Sequence, residues 1–154
     1  IYQNIREIVP TPARSNSDRD SREFVIKRGT KQGDPTSPNL FNAVLEYAVK
    51  EAQKKWKVKG WGIDVGGGRM NALCNLRFAD DVLLFAKSKT QLQAMMEDLI
   101  RCVGAVGLDI HLGKTKILNN IPDDQRTGPT SLRISTSNVE ILPFSGSTMY
   151  LGRK

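Results

Sequence analysis

Two aspartates stand side by side at Asp80 and Asp81, between Leu76-Arg77-Phe78 and the apolar run Val82-Leu83-Leu84-Phe85-Ala86. Adjacent carboxylates repel one another unless a cation neutralises them. Hard divalent ions such as Mg²⁺ take oxygen ligands and keep places for phosphate oxygens. The pair is therefore a candidate for two-metal phosphoryl transfer. An Asp-Asp pair alone is an ordinary turn feature, and the chain carries its own control. Asp123-Asp124 follows Pro122 in a polar loop without flanking apolar strands, and it reads as a solvated turn. The flanking apolar runs set Asp80-Asp81 apart, because they put two charges at a hairpin tip in a region that otherwise avoids charge.

Two other motifs imitate phosphate sites and fail on spacing. Gly113-Lys114-Thr115 resembles the end of a phosphate-binding loop, but the matching first glycine would have to be Leu108, and no helix pattern follows Thr115. Gly66-Gly67-Gly68 reads as a turn, since no helix start follows it.

The elements that must position Asp80-Asp81 follow from periodicity. Leu73 to Phe78 alternates, with Leu76 and Phe78 opposed to Asn75 and Arg77, and Val82 to Ala86 is apolar on both faces like a central strand. The four residues between Phe78 and Leu83 can close a hairpin. Upstream, Ser37-Pro38 is a helix start, with Ser as N-cap and Pro at the first helical position. Phe41, Val44, Leu45, Ala48, Val49 and Ala52 then form one buried stripe to about Lys55. Downstream, Thr90 with Gln93 is a capping-box signal. Leu92, Met95, Met96, Leu99 and Val103 are the second stripe, and Gly104 and Gly107 can stop it. Short strands are predicted at Phe24–Ile26, Trp61–Val65, Leu108–Ile110, Ile117-Leu118, Leu132–Ile134, Val139–Leu142 and Met149–Leu151. Arg14–Arg22, Arg28–Pro35 and Ile121–Ser131 read as loops. Helices and hairpins in this order predict an α+β fold, a sheet layer with helices on one face.

Composition bounds the function class. The chain has 154 residues, with 23 Lys plus Arg against 16 Asp plus Glu, so 23 − 16 = +7. This is one domain's length, sufficient for a real core. The excess charge favours a polyanionic partner, nucleic acid first. Hydrophobic residues at 39% and charged residues at 25% argue against wholesale disorder. No apolar run approaches the roughly 18 residues of a membrane span. Two cysteines, Cys74 and Cys102, are too few for a disulfide framework or zinc cluster, so an intracellular, reduced setting is expected. The chain opens on Ile1, with Ile5 and Ile8 spaced like the end of a helix, and is expected to be a fragment or excised domain.

Arg77-Phe78-Ala79-Asp80-Asp81 with Val82-Leu83-Leu84-Phe85-Ala86 resembles the catalytic hairpin of non-LTR retrotransposon reverse transcriptases. Arg28-Gly29-Thr30-Lys31-Gln32-Gly33-Asp34-Pro35-Thr36-Ser37-Pro38, then Leu40-Phe41-Asn42, resembles the same family's preceding motif. Gly107-Leu108 with Lys114-Thr115-Lys116 resembles the following one, and Tyr150-Leu151-Gly152 resembles the strand that grips the primer. Four motifs in family order cover nearly the whole chain. The run Asn42-Ala43-Val44-Leu45-Glu46 leans toward the RTE-type branch.

The resemblance implies part of a right-hand polymerase palm, a ferredoxin-like sheet with helices on one face and a catalytic β-hairpin. The implied activity is RNA-directed DNA synthesis from an RNA template, a DNA primer and deoxynucleoside triphosphates, with Mg²⁺, or alternatively Mn²⁺, as cofactor. Asp80 would bind the catalytic metals and Asp81 would support or share that role. Gln32 and Gly33 would face the nucleotide, where an uncharged donor-acceptor and the lack of a Cβ suit close approach. The helix N-terminus beside that loop suits a phosphate. Lys114 would stand near the leaving pyrophosphate. Lys27, Arg28, Lys31 and Arg77 would meet template or primer phosphates, and Tyr150, Leu151 and Gly152 would hold the primer end.

The sequence departs from the family pattern in places. His111 stands where relatives often carry Asn and is given no role, and Thr36 replaces the usual Leu. The family's first metal-binding aspartate belongs on a strand well upstream of Arg28, but Asp18 and Asp20 lie in the polar run Ser15–Ser21. Residues 1–154 are thus expected to be a single partial domain, with the start of the fingers, the thumb and the rest of a polyprotein absent. The rival reading is a non-catalytic nucleic-acid-binding remnant of a degenerate element.

Overall fold

A computed structural model describes residues 35–66, 72–125 and 128–146. The expected Arg14–Arg22 loop, the Phe24–Ile26 strand, the Arg28–Pro35 loop except for Pro35, and the Met149–Leu151 strand lie outside these residues, as do Asp18, Asp20, Lys27, Arg28, Lys31, Gln32, Gly33, Tyr150, Leu151 and Gly152.

Helix α1 runs Ser37–Val58, one turn beyond the predicted end, and buries Leu45, Ala48, Val49, Ala52 and Trp56. The extra turn brings Trp56 onto the stripe at the i+4 spacing from Ala52. The N-cap position falls on Thr36 rather than Ser37, with no side-chain cap bond. Helix α2 runs Lys89–Ala105 and buries Met95, Met96, Leu99 and Val103 of the predicted stripe. Its capping pair is Ser88 with Gln91, not Thr90 with Gln93. Ser88 Oγ accepts from the Gln91 N–H at 3.1 Å, and Gln91 Oε1 accepts from the Lys87 N–H at 2.6 Å. Ser88 has the extended backbone a cap requires, whereas Thr90 is already helical.

Both helices end in the same motif. Gly60 and Gly107 take positive φ, 64° and 79°. The Gly60 N–H donates to Lys57 O and the Trp61 N–H to Trp56 O; likewise Gly107 donates to Gly104 O and Leu108 to Val103 O. This closes the last carbonyls in a Schellman arrangement. Gly107 thus stops α2 as the sequence predicted, while Gly104 lies inside it.

The described strands pair as two antiparallel hairpins. Strand β1 (Asn75–Phe78) pairs with β2 (Asp81–Leu84), and β3 (Ser131–Ile134) with β4 (Ser137–Glu140). Trp61–Val65 contributes a single bridge, Ile63 with Leu73, and Ile117 bridges Ile141 in parallel. Leu108–Ile110 is not a strand. Leu112–Lys114 and Asp123–Gln125 are single 3₁₀ turns.

Two apolar clusters hold these pieces together. The first joins α1 to α2 through Leu45, Val49, Trp56, Met95, Leu99 and Val103, with Cys74, Val82 and Leu84 brought in from the β1–β2 region. The second joins α2 to the β3–β4 hairpin through Met96, Ile117, Ile134, Val139 and Ile141. Each fully buried side chain of this kind stabilises by about 1.5–3 kcal/mol relative to exposure. Helix α2 therefore packs on α1 through the first cluster and on the β3–β4 hairpin through the second. The resulting architecture is α+β, with α1 and α2 covering the inner side of the β1–β2 hairpin. No helix among the described residues is long and apolar enough to cross a membrane.

Candidate active-site hairpin

The β1–β2 register fixes what each face of the hairpin presents. Asn75 pairs with Leu84, Leu76 with Leu83, Arg77 with Val82, and Phe78 with Asp81. Directly opposed residues share a face and alternate residues point apart. One face therefore carries Asn75, Arg77, Val82 and Leu84, and the other Leu76, Phe78, Asp81 and Leu83. Val82 and Leu84 pack on the helical core, so the first face is inward. Leu76 and Phe78 are outward, 48% and 65% exposed. The predicted alternation is real, and its polar members are the ones turned toward the helices. Val82 to Ala86 was expected to be a central strand; among the described residues β2 has β1 as its hydrogen-bonded neighbour and its side chains are half-buried.

The connecting turn is tighter than predicted. Only Ala79 and Asp80 lie between the strands, and Ala79 takes φ 51°. Positive φ at the first central residue is a signature of the hairpin turns whose twist matches the strands. For a residue with a Cβ it is a strained conformation, and such strain concentrates at functional sites. Asp80 is in the turn itself and Asp81 is the first residue of β2, on the outward face. Both are half-buried, and among the described residues neither carboxylate has a hydrogen bond or ion pair. Two adjacent carboxylates without a cationic partner form a hard-oxygen donor set that suits a divalent ion. No third His, Cys, Asp or Glu joins them among the described residues. These donors fit part of a two-metal site.

Arg77 does not present its charge to solvent as expected. It is an inward residue of β1 whose guanidinium pairs with the carboxylate of Glu46 on α1, and its side chain is 22% exposed. Glu46 also takes Lys50 at 3.0 Å. Lys50 first of all holds the Glu46 carboxyl below the usual carboxylate range; burial opposes this, and Arg77 adds to the lowering. In the sequence Glu46 stands within the run Asn42-Ala43-Val44-Leu45-Glu46, and nothing local marks it as the partner of Arg77. That pairing depends on how α1 lies across β1.

Lys114 is exposed and ends the Leu112–Lys114 turn, its N–H donating to His111 O at 3.0 Å. That turn packs against β4, so Lys114 and the two aspartates are carried by different hairpins. His111 is exposed at the head of the same turn, not partly buried, and its carbonyl also accepts from Thr115 Oγ1 at 3.2 Å. Asp123 is exposed as predicted for a solvated turn, and it has a structural task as well, since its Oδ1 accepts from the Phe144 N–H at 2.9 Å. Asp98 of α2 escaped the sequence reading. It is 6% exposed and holds Arg101 at 2.5 Å and Lys55 of α1 at 3.9 Å, which adds an ionic link to the helix pair.

The sequence matches the family described as reverse transcriptase (RNA-dependent DNA polymerase) over residues 3–152. The chain belongs to that family. It is 32% identical over 136 residues to the retrovirus-related Pol polyprotein of the type-2 retrotransposable element R2DM of Drosophila melanogaster, a match covering 86% of this chain and 12% of the relative. It is 31% identical over 105 residues to the Pol polyprotein of a type-1 retrotransposable element R2 of Popillia japonica, covering 68% of this chain and 14% of the relative. A transposon-derived protein of Caenorhabditis elegans is 37% identical over 83 residues, covering 53% of this chain and 28% of the relative. The chain thus spans about an eighth of the Drosophila polyprotein it matches. No solved structure matches it. The family works on a nucleic-acid template with nucleotides and uses a divalent metal ion.

Proposed function

We propose that this chain is the palm portion of an RNA-directed DNA polymerase encoded by a non-LTR retrotransposon, working within a longer polyprotein inside the cell. The observation that carries this reading is the pair Asp80-Asp81, uncompensated by any described cation, at the strained tip of a hairpin whose inner face is anchored on α1 and α2. In that role Asp80 and Asp81 hold Mg²⁺, or Mn²⁺ in its place. A divalent ion held there would supply a lowered pKa for the primer 3′-hydroxyl and positive charge for the reacting phosphate. The chain's own residues do the placing. Leu84 at the root and Val82 near the turn fix the hairpin in the core, and the Ala79-Asp80 turn projects both carboxylates from its tip. Gln32 and Gly33, immediately upstream of α1, present an uncharged donor-acceptor and an unobstructed backbone to the deoxynucleoside triphosphate. Lys114 donates charge or a proton to the departing pyrophosphate. Lys27, Arg28 and Lys31 meet template or primer phosphates, and Tyr150, Leu151 and Gly152 hold the primer end by backbone and apolar contact.

The test is incorporation of labelled deoxynucleotide by the intact polymerase that contains these residues. Incorporation should require an RNA template, an annealed DNA primer and free divalent cation together. Incorporation that persists in excess chelator, or that proceeds equally well without template, would overturn the reading. Gln32→Ala should raise the nucleotide KM more than it weakens RNA binding; an unchanged nucleotide response with reduced RNA affinity would remove Gln32 from the site.

A further inference from the structure

The hairpin that carries Asp80 and Asp81 is fastened unevenly. Isolated two-stranded hairpins are marginal in water, so the geometry of the tip depends on what its inner face touches. At the root the inner face carries Asn75, which is buried, opposite Leu84, which packs on the helical core. Next to the tip the inner face carries the pair Val82 and Arg77, Val82 packing on the same core, while Leu76, Phe78 and Leu83 belong to the outward face. Arg77 is the last inward residue of β1 before the turn. Its pair with Glu46 is an ionic tie between the hairpin and α1. Among the described residues, the other ion pairs of α1 are Lys50–Glu46 and Lys54–Glu51, within the helix, and Lys55–Asp98, to α2. In the sequence, Gln32 and Gly33 come shortly before Ser37, the first residue of α1.

We propose that Glu46 and Arg77 are positioning residues for the cation-binding carboxylates. Glu46 anchors the tip of the hairpin to α1 through Arg77. It also keeps that guanidinium on the inner face, away from Asp80 and Asp81, with which a released Arg77 would pair in competition with the cation. The inference rests on the reading of Asp80 and Asp81 as cation ligands, and the experiment separates the two.

The polypeptide of these 154 residues is titrated with Mn²⁺ alone, read by paramagnetic broadening of the backbone amide signals of the hairpin. Chemical shifts of core amides such as those of Leu99 and Val103 serve as the fold control. In the wild-type chain the broadening should centre on Asp80 and Asp81, and Asp80→Asn should abolish it. The discriminating variant is Arg77→Met. Removing a positive charge near the carboxylates strengthens cation binding if electrostatics alone operates, whereas loss of the anchor weakens it. We expect Arg77→Met and Glu46→Gln to weaken Mn²⁺ binding by about two- to fivefold, the scale of a partly exposed ion pair. Arg77→Lys, which keeps a charge able to reach Glu46, should restore most of the loss. Lys50→Met, which leaves the Arg77 pair in place, should change nothing. Should Asp80→Asn leave the broadening intact, the metal reading itself fails. Should Asp80→Asn abolish it while Arg77→Met binds as tightly as wild type or more tightly, with core shifts unchanged, the positioning proposal alone fails. If Arg77→Met disturbs the core shifts, the comparison of Arg77→Lys with Lys50→Met decides, and equal affinities for those two and wild type uphold the proposal only if Glu46→Gln is weaker.

Discussion

Trp56 offers a sharp quantitative test of the packing. The indole is fully buried at the last turn of α1, and among the described residues its Nε1–H finds no hydrogen-bond partner. In Trp56→Phe two effects oppose each other. The smaller ring loses apolar contact and leaves a cavity of about 40 Å³, each effect costing about 1 kcal/mol. The same change removes an unpaired buried donor, which recovers about 1–3 kcal/mol. The two nearly cancel, so the net change should lie within about 1 kcal/mol of zero. For a chain of this length that is a shift of no more than about 2–4 °C in Tm. Trp56→Ala removes the same donor but a far larger apolar volume, and should still cost about 3–5 kcal/mol. Thermal unfolding followed by far-ultraviolet circular dichroism, checked by urea titration at fixed m-value, measures both. A loss of about 3 kcal/mol or more in Trp56→Phe would refute the reasoning, since it would mean that the indole donor is satisfied or that the ring packs far more tightly than the balance assumes.

Other expectations follow from single contacts. Asp80→Asn should leave the metal-free chain at least as stable as wild type, by up to about 1 kcal/mol, because it relieves repulsion from Asp81 and breaks no described partner; a clear fall in Tm would mean that Asp80 has a structural partner. The Glu46 carboxyl is held below its ordinary value of about 4.5 in the folded chain, so its contribution is present above that pH and is lost as pH falls through the folded pKa. The stability gap between wild type and Glu46→Gln, read by urea unfolding, should therefore close on acidification; a gap that widened would reverse the assignment. The 154-residue polypeptide by itself should not extend a primer on RNA, yet should bind RNA or DNA weakly with an affinity that falls as salt rises. Salt-independent binding, or extension that an Asp80→Asn control lacks, would contradict this.

The parts of the fold legible in the sequence are those set by local rules. The two helical stripes, the glycine stop at Gly107 and the hairpin around Asp80-Asp81 all depend on neighbours within a few residues, and they form as the periodicity predicted. The misplaced cap at Thr90 shows the limit of such rules, because Ser88 and Thr90 both satisfy the cap chemistry and the chain's path into α2 selects the first. Which way the β1–β2 hairpin faces was not legible. Alternation gave its two faces, but whether Leu76 and Phe78 or Asn75 and Arg77 turn inward depends on a tertiary partner, Glu46, that lies 31 positions before Arg77 (77 − 46 = 31). The same holds for Asp98, whose burial follows from the approach of α1 and its Lys55. Within the site, residue types alone singled out Asp80 and Asp81, since paired charges between apolar strands need a reason to be there.

The measurement that tests the account most directly is primer extension on an RNA template by the intact polymerase, wild type against Asp80→Asn, with template-primer affinity measured in parallel. The substitution keeps the shape of the side chain and removes one charge from the carboxylate pair. The account predicts that extension falls below detection in Mg²⁺ while the affinity for template-primer is kept. Near-normal extension by Asp80→Asn would contradict it.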